Sequence, residues 1–135
     1  MLFRSVVAGD PLRLRQLLGV LLDNATRYSK PGGQVQMRVT AQAHAAGESS
    51  TVQVTVSDEG IGIPDHELPQ VFDRHFRGAL ARSHSRDGSG LGLSIAHALA
   101  QAHGGQLQLR SGNGSTQAVL SLPLVGADDL VDSAA

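Results

Sequence analysis

Thr51-Val-Gln-Val-Thr-Val-Ser-Asp58 alternates apolar and polar residues and runs straight into Glu59-Gly-Ile-Gly62. Val52, Val54 and Val56 fall on one face of an extended chain, and Gln53, Thr55 and Ser57 on the other. That period of two predicts a half-buried strand that delivers Asp58 to a turn. Upstream, Val35, Met37 and Val39 alternate with Gln36, Arg38 and Thr40, which predicts a second strand with one face buried. Residues 43–50 read as the loop between the two. Before them, Asp10-Pro11 supplies an N-cap and a proline at the first helical position. Leu14, Leu17, Leu18, Leu21, Leu22 and Ala25 then recur at helical spacing to about Tyr28, where Pro31-Gly32-Gly33 stops the helix. Downstream, Asp65 to Phe72 suits a short helix. Residues 73–90 carry Arg74, Arg77, Arg82 and Arg86 without a clear period and read as a mobile loop. Leu91 to His103 predicts a helix ended by Gly104-Gly105. Residues 106–110 and 117–123 predict two more strands around the turn Ser111-Gly-Asn-Gly-Ser115. Interleaved helices and strands imply an α/β (α+β) two-layer sandwich, a mixed sheet with helices on one face.

Composition narrows the function classes. The chain has 135 residues, enough for one domain and one core. Aromatic content is only 3%, so Leu, Val, Ile and Ala must build that core. A formal net charge of -1 argues against a general nucleic-acid binder. The absence of cysteine excludes disulfides and thiolate metal sites. No apolar run approaches a membrane span and there is no signal-peptide layout, so the expected product is soluble and cytoplasmic. His44, His75, His84, His97 and His103 have no metal-like spacing and read as surface or lid residues.

Three features carry chemistry. Asp58, with Gly60 and Gly62 behind it, is either a tight turn with an acidic start or an ionised carboxylate that accepts a hydrogen bond from an adenine amino group. In the second reading the glycines let the backbone approach the base. Gly88-Ser89-Gly90-Leu91-Gly92-Leu93 is either a flexible linker into a helix or an anion site, in which unpaired N–H groups and the positive helix end face phosphate oxygens. Its spacing is not that of a Walker P-loop, and the glycines do not follow a strand as in a dinucleotide fold. Asn24 lies one turn after Val20 on the first helix. It is either a solvated or capping residue or a magnesium ligand beside phosphates. Arg27 meets a phosphate or solvent. Tyr28 covers a ribose or base edge, or simply packs.

Taken in order, these motifs resemble the catalytic, ATP-binding domain of bacterial sensor histidine kinases, within the GHKL ATPase superfamily. Leu21-Leu-Asp-Asn-Ala-Thr-Arg-Tyr-Ser29 resembles the N box and Asp58-Glu-Gly-Ile-Gly62 the first G box. Val71-Phe-Asp-Arg-His-Phe-Arg77 resembles the F box and Gly88 to Leu93 the second G box, with Ala102-His-Gly-Gly105 following. The resemblance covers about residues 8 to 124. It implies a Bergerat-type fold, a mixed sheet of about five strands backed by three helices. It divides the chain into an ATP-binding domain at 1–125, with a lid at about 73–90 and a clipped first strand, and a disordered acidic tail at 126–135. It implies ATP and magnesium as ligands, with the γ-phosphoryl passing to a histidine on a separate dimerisation domain. By motif match, Asp58 with Gly60, Gly62 and Ile63 would read the adenine, and Asn24 would hold magnesium. Arg27 and Tyr28 would lie beside the nucleotide, Arg77 near the phosphates, and Phe72 and Phe76 would anchor the lid.

The pattern departs from the family at Val20, where a polar residue, commonly Asn, is usual. Valine binds no metal, and it stands where the hydrolytic relatives carry a glutamate base, so hydrolysis is disfavoured. The open alternatives are a degenerate GHKL nucleotide-binding module and an anti-sigma-type kinase. No phosphoacceptor segment is visible, so the expected partners are the protein's own dimerisation domain and a response regulator. The resemblance further implies no nucleic acid, no direct membrane contact, a monomeric isolated domain, and a place on the cytoplasmic side of a membrane-bound sensor.

Overall fold

The computed structural model describes residues 7–42, 50–73, 92–112 and 114–124. The loop expected at 43–50 and the lid expected at about 73–90 lie outside the described residues but for residues 50 and 73, and the acidic tail expected at 126–135 lies outside them entirely. Helix α1 spans Pro11–Tyr28. Its start is as the sequence predicts: the Asp10 carboxylate accepts from the amides of Leu12 at 2.9 Å and Arg13 at 3.4 Å, satisfying donors that a helix cannot satisfy itself. Strands β1 (Val35–Gln42) and β2 (Thr51–Asp58) pair antiparallel. The short helix expected at 65–72 is a single 3-10 turn, Leu68–Gln70, with Pro69 inside it removing a donor. Helix α2 spans Gly92–Ala102. It ends in a Schellman arrangement, with Gly105 N–H on the Ala100 carbonyl at 2.9 Å and Gly104 N–H on that of Gln101 at 3.0 Å. Strands β3 (Gln106–Gly112) and β4 (Ser115–Pro123) form a hairpin.

The sheet order is β1-β2-β4-β3, with α1 and α2 packed together over one face. Among the described residues there are four strands and two long helices, and every strand pairing is antiparallel. The two-layer class therefore stands, while the expected parallel pairing is absent from the described strands. The reason lies in the crossover. β2 and β3 do run in the same direction, joined through α2, but β4 inserts between them and is antiparallel to both.

Three rungs of the helix-facing side are apolar. Val56, Ala118 and Leu109 form one, Val54, Leu120 and Leu107 the next, and Val52 with Leu122 the third. Leu17, Leu21 and Ala25 of α1 and Ala96 and Ala100 of α2 close over them. The six buried valines and leucines of these rungs, Val52, Val54, Val56, Leu107, Leu120 and Leu122, contribute on the order of 10 kcal/mol before entropy is counted. Strand β1 corrects the sequence reading. Val35, Met37 and Val39 face the same side as the core but remain 36%, 51% and 56% exposed. The two helices lie mainly over β2, β3 and one another, so the alternation in β1 marks a face that the described elements cover only in part.

His103 ties the helices together. Its Nδ1 donates to the Leu99 carbonyl at 2.8 Å, and its Nε2 accepts from the Asp10 amide at 3.2 Å. The amide donor fixes Nε2 as the unprotonated nitrogen. His103→Ala is expected to cost about 1 kcal/mol and lower the melting midpoint by roughly 3–5 °C, read from a thermal melt at neutral pH.

Candidate functional site

One rung beyond the apolar three, the chemistry of the sheet changes. Val35 pairs with Asp58, Asp58 with Thr116, and Thr116 with Ser111, so three polar residues from three strands lie side by side at the end of the core. Asp58 is 6% exposed and Thr116 7%. Asp58 has no ion pair among the described residues. Burial pushes its carboxyl up to about 6, because removing water penalises the charged form. A buried acceptor without a cation calls for a neutral N–H donor. The amino group of a heteroaromatic base is such a donor.

The loop after Asp58 is held over this rung. Ser29 and Gly60 form an isolated bridge, the Ile61 amide donates to the Tyr28 carbonyl at 3.2 Å, and the Lys30 amide to that of Glu59 at 2.9 Å. A side chain at Gly60 would meet both the Asp58 carboxylate and the Tyr28 carbonyl, so only glycine fits. Gly62 has φ 78°, a conformation that glycine adopts without strain. The next amide, Ile63 N–H, donates to Ser111 Oγ at 2.9 Å, and Ser111 Oγ lies 3.2 Å from Thr116 Oγ1. Asp58, Gly60, Gly62 and Ile63, all predicted from the sequence, are thus brought together at the C-terminal end of α1.

The other end of the site lies further back along α1. A Cβ on Gly92 would be 3.3 Å from Val20 Cγ1, so Val20 faces the first turn of α2. Val20 and Tyr28 are two turns apart, about 12 Å along the axis. Asn24 lies between them, half-buried. One helix therefore reaches from the N-terminal end of α2 to the loop over Asp58. Leu93 packs against the core. Arg27 forms an ion pair with Asp23 at 3.4 Å, one helical turn back. Tyr28 is half-buried and contributes its backbone carbonyl to the loop. Phe72 stacks on His97 of α2, with ring centroids 4.4 Å apart and planes 15° from parallel, which anchors the segment entering the expected lid. Arg77, Phe76, Gly88, Ser89, Gly90 and Leu91 lie outside the described residues.

Among the described residues no three His, Cys, Asp or Glu side chains gather as a metal cluster. The donor set suits magnesium nonetheless, because that ion keeps several waters and takes one or two protein oxygens. Asn24, half-buried one turn after Val20, carries an amide oxygen of the kind that ion takes. A shallow hollow of about 340 Å³ lies beside the site, lined by Arg110, Ser111, Gly112, Ser115 and Gln117. It opens mainly among side chains of the sheet's other face and is not the pocket described above. Thr116 and Ser111 were missed from the sequence. Strand parity places both on the inner face, but only the register aligns them with Asp58.

Residues 9–126 match the model of the histidine kinase-, DNA gyrase B- and HSP90-like ATPase family. Sensor histidine kinase CusS of Escherichia coli O157:H7 is 39% identical over 117 residues, covering 87% of this chain and 23% of that kinase. Among solved structures, the mycobacterial sensor histidine kinase MprB superposes with a TM-score of 0.78 at 35% identity, over 89% of this chain and 78% of its own. Full-length ShkA in complex with AMPPNP gives a TM-score of 0.67 at 26% identity, over 92% of this chain and 24% of its own. The chain spans about a quarter of the length of the relatives it matches in sequence. With the match running across nearly the whole fold and through the loop over Asp58, the chain belongs to the histidine kinase-, DNA gyrase B- and HSP90-like ATPase family, as the ATP-binding catalytic domain found in sensor histidine kinases.

Proposed function

We propose that this domain binds magnesium–ATP and, within a longer sensor kinase, donates the γ-phosphoryl to a histidine on a separate dimerisation domain, from which it passes to a response regulator. The observation that carries this reading is the buried Asp58 beneath the Gly60–Gly62 loop, without an ion-pair partner among the described residues. The AMPPNP complex of ShkA and the kinase relatives support it. Asp58 accepts from the adenine amino group, and Gly60, Gly62 and Ile63 bring backbone against the base. Tyr28 borders the ribose end. Asn24 would hold magnesium, which when bound neutralises phosphate charge. Arg27 lies one turn from Asn24 and swings from Asp23 toward the phosphates. Gly92 and Leu93 open α2 and would offer its N-terminus to the phosphate chain, and by motif match Gly88, Ser89, Gly90 and Leu91, outside the described residues, would serve the same end. Arg77 adds charge from the lid. Phosphoryl transfer needs little more of this domain than positioning and charge neutralisation. Val20 offers no base to activate water, so transfer to a side chain is favoured over hydrolysis. Placement on the cytoplasmic side of a membrane-bound sensor follows the same reading. No described helix is long and apolar enough to cross a membrane.

Asp58 makes the reading testable through pH. Its folded value, about 6, lies above the ordinary 3.8. The folded domain therefore holds a proton that the unfolded chain has released between about pH 4 and 6. Stability of the nucleotide-free domain falls as pH rises through that window, by on the order of 1–3 kcal/mol in full. Asp58→Asn is expected to raise the melting temperature at pH 7 while weakening ADP binding about tenfold, the difference between a charged and a neutral acceptor. ADP affinity of the unaltered chain should fall roughly tenfold from pH 7 to pH 5, as the carboxylate takes up its proton. Calorimetric titration at both pH values, with Asp58→Asn as the pH-independent control, checks this; a flat profile in the unaltered chain would count against Asp58 as the base reader.

Magnesium provides a second check. Val20 packs toward Gly92, so Val20→Asn is expected to leave magnesium-dependent affinity for an unreactive ATP analogue within about threefold, since the ion needs few protein ligands. A gain of tenfold or more would mean that the phosphate end is impaired as it stands.

A further inference from the structure

We propose that Ser111 is a positioning residue for the base pocket, its hydroxyl fastening the loop after Asp58 to the sheet and thereby setting the loop's height over the carboxylate. The proposal deepens the nucleotide-binding reading and rests on it. Two of the bonds that hold the loop flank Gly62. On one side the Ile61 amide is held by the Tyr28 carbonyl at the end of α1, at 3.2 Å. On the other, the Ile63 amide is held by Ser111 Oγ at 2.9 Å, across 48 residues of sequence. Between the pins lies Gly62 at φ 78°, with no side chain to pack the loop in place. The second pin is therefore a single side-chain hydrogen bond, on the amide that directly follows the residue with least steric restraint.

Ser111 is also joined to the carboxylate's own rung. Its hydroxyl lies 3.2 Å from that of Thr116, which is the cross-strand partner of Asp58. A serine hydroxyl has one proton and two lone pairs. Accepting from Ile63 uses one lone pair, and the hydroxyl still meets Thr116 Oγ1, with either oxygen able to donate. Loop height and the polar rung are thus linked through one oxygen atom. Ser111 does not touch the reacting phosphates, and its effect is confined to the base end.

Ser111→Ala should weaken ADP binding by about five- to tenfold, the worth of one such bond. It should also narrow the preference for ADP over inosine diphosphate, which lacks the amino group, while leaving magnesium dependence unchanged. Ser111→Thr, which retains the hydroxyl on a strand, should restore both. Calorimetric titration of the 135-residue chain and these variants reads the outcome. An unaltered chain that fails to bind ADP overturns the nucleotide reading and the clamp with it. An unaltered chain that binds, together with a Ser111→Ala variant of equal affinity and equal ADP-to-inosine diphosphate preference, overturns the clamp alone. Should Ser111→Ala not melt cooperatively, amide hydrogen exchange of the unaltered, nucleotide-free chain decides. Protection of Ile63 N–H is expected, and exchange at the rate of a free loop overturns the proposal.

Discussion

Antiparallel pairing of β2 with β4 sets Asp58 opposite Thr116 and Val56 opposite Ala118. The period of a strand is two, so a slip of one residue would turn Val52, Val54 and Val56 to solvent and carry Asp58 to the outer face. The apolar rungs beneath the helices forbid that slip. The same burial that fixes the register also draws Asp58 out of water, because it lies on the next rung of the same face. Core packing and the raised carboxyl are therefore two consequences of one constraint. The polar group is held in an unfavourable environment by the hydrophobic residues that precede it on its own strand.

The cost of that arrangement falls on the nucleotide-free domain. An ionised Asp58 without a cation opposes folding at neutral pH, and a ligand that supplies an N–H donor relieves the opposition. Binding energy is thereby concentrated at one atom pair in a site poor in water, where hydrogen bonds to a charged acceptor are strongest. Helix α1 connects this end to the other. Its C-terminal carbonyl at Tyr28 holds the loop, while Val20, two turns back, faces the start of α2. The N-cap of α1 is in turn bound to α2 through His103. The helix is thus tied along its length to the elements that bracket the site, which gives the pocket a rigid wall.

Much of the fold was legible. The Asp10-Pro11 start, the apolar stripe through Ala25, the alternation in residues 51–58 and the Gly104-Gly105 stop all had local causes, and each element formed where those causes placed it. Reading failed where the outcome depended on another element. β1 has the alternation of a half-buried strand, but alternation reports a face and not whether anything covers it. The segment at 65–72 suits a short helix in sequence, but Pro69 and its short length left only one 3-10 turn. His103 and His97 carry no sequence signal of their roles, because their partners, Asp10 and Phe72, lie on other elements.

The sequence by itself determined the kinds of element, their order, and the residue types with chemistry to offer: a carboxylate before glycines, an amide on an apolar helix, glycines before a second helix. Those are local facts, set by backbone sterics, side-chain periodicity and capping over a few residues. Only the tertiary structure decided that Asp58, Thr116 and Ser111 share one rung, that Ser111 reaches Ile63, and that Val20 meets Gly92. Those contacts join residues dozens of positions apart, and which of them form depends on strand order and register. Register minimises exposed apolar surface over the whole sheet at once, a sum that no single segment contains.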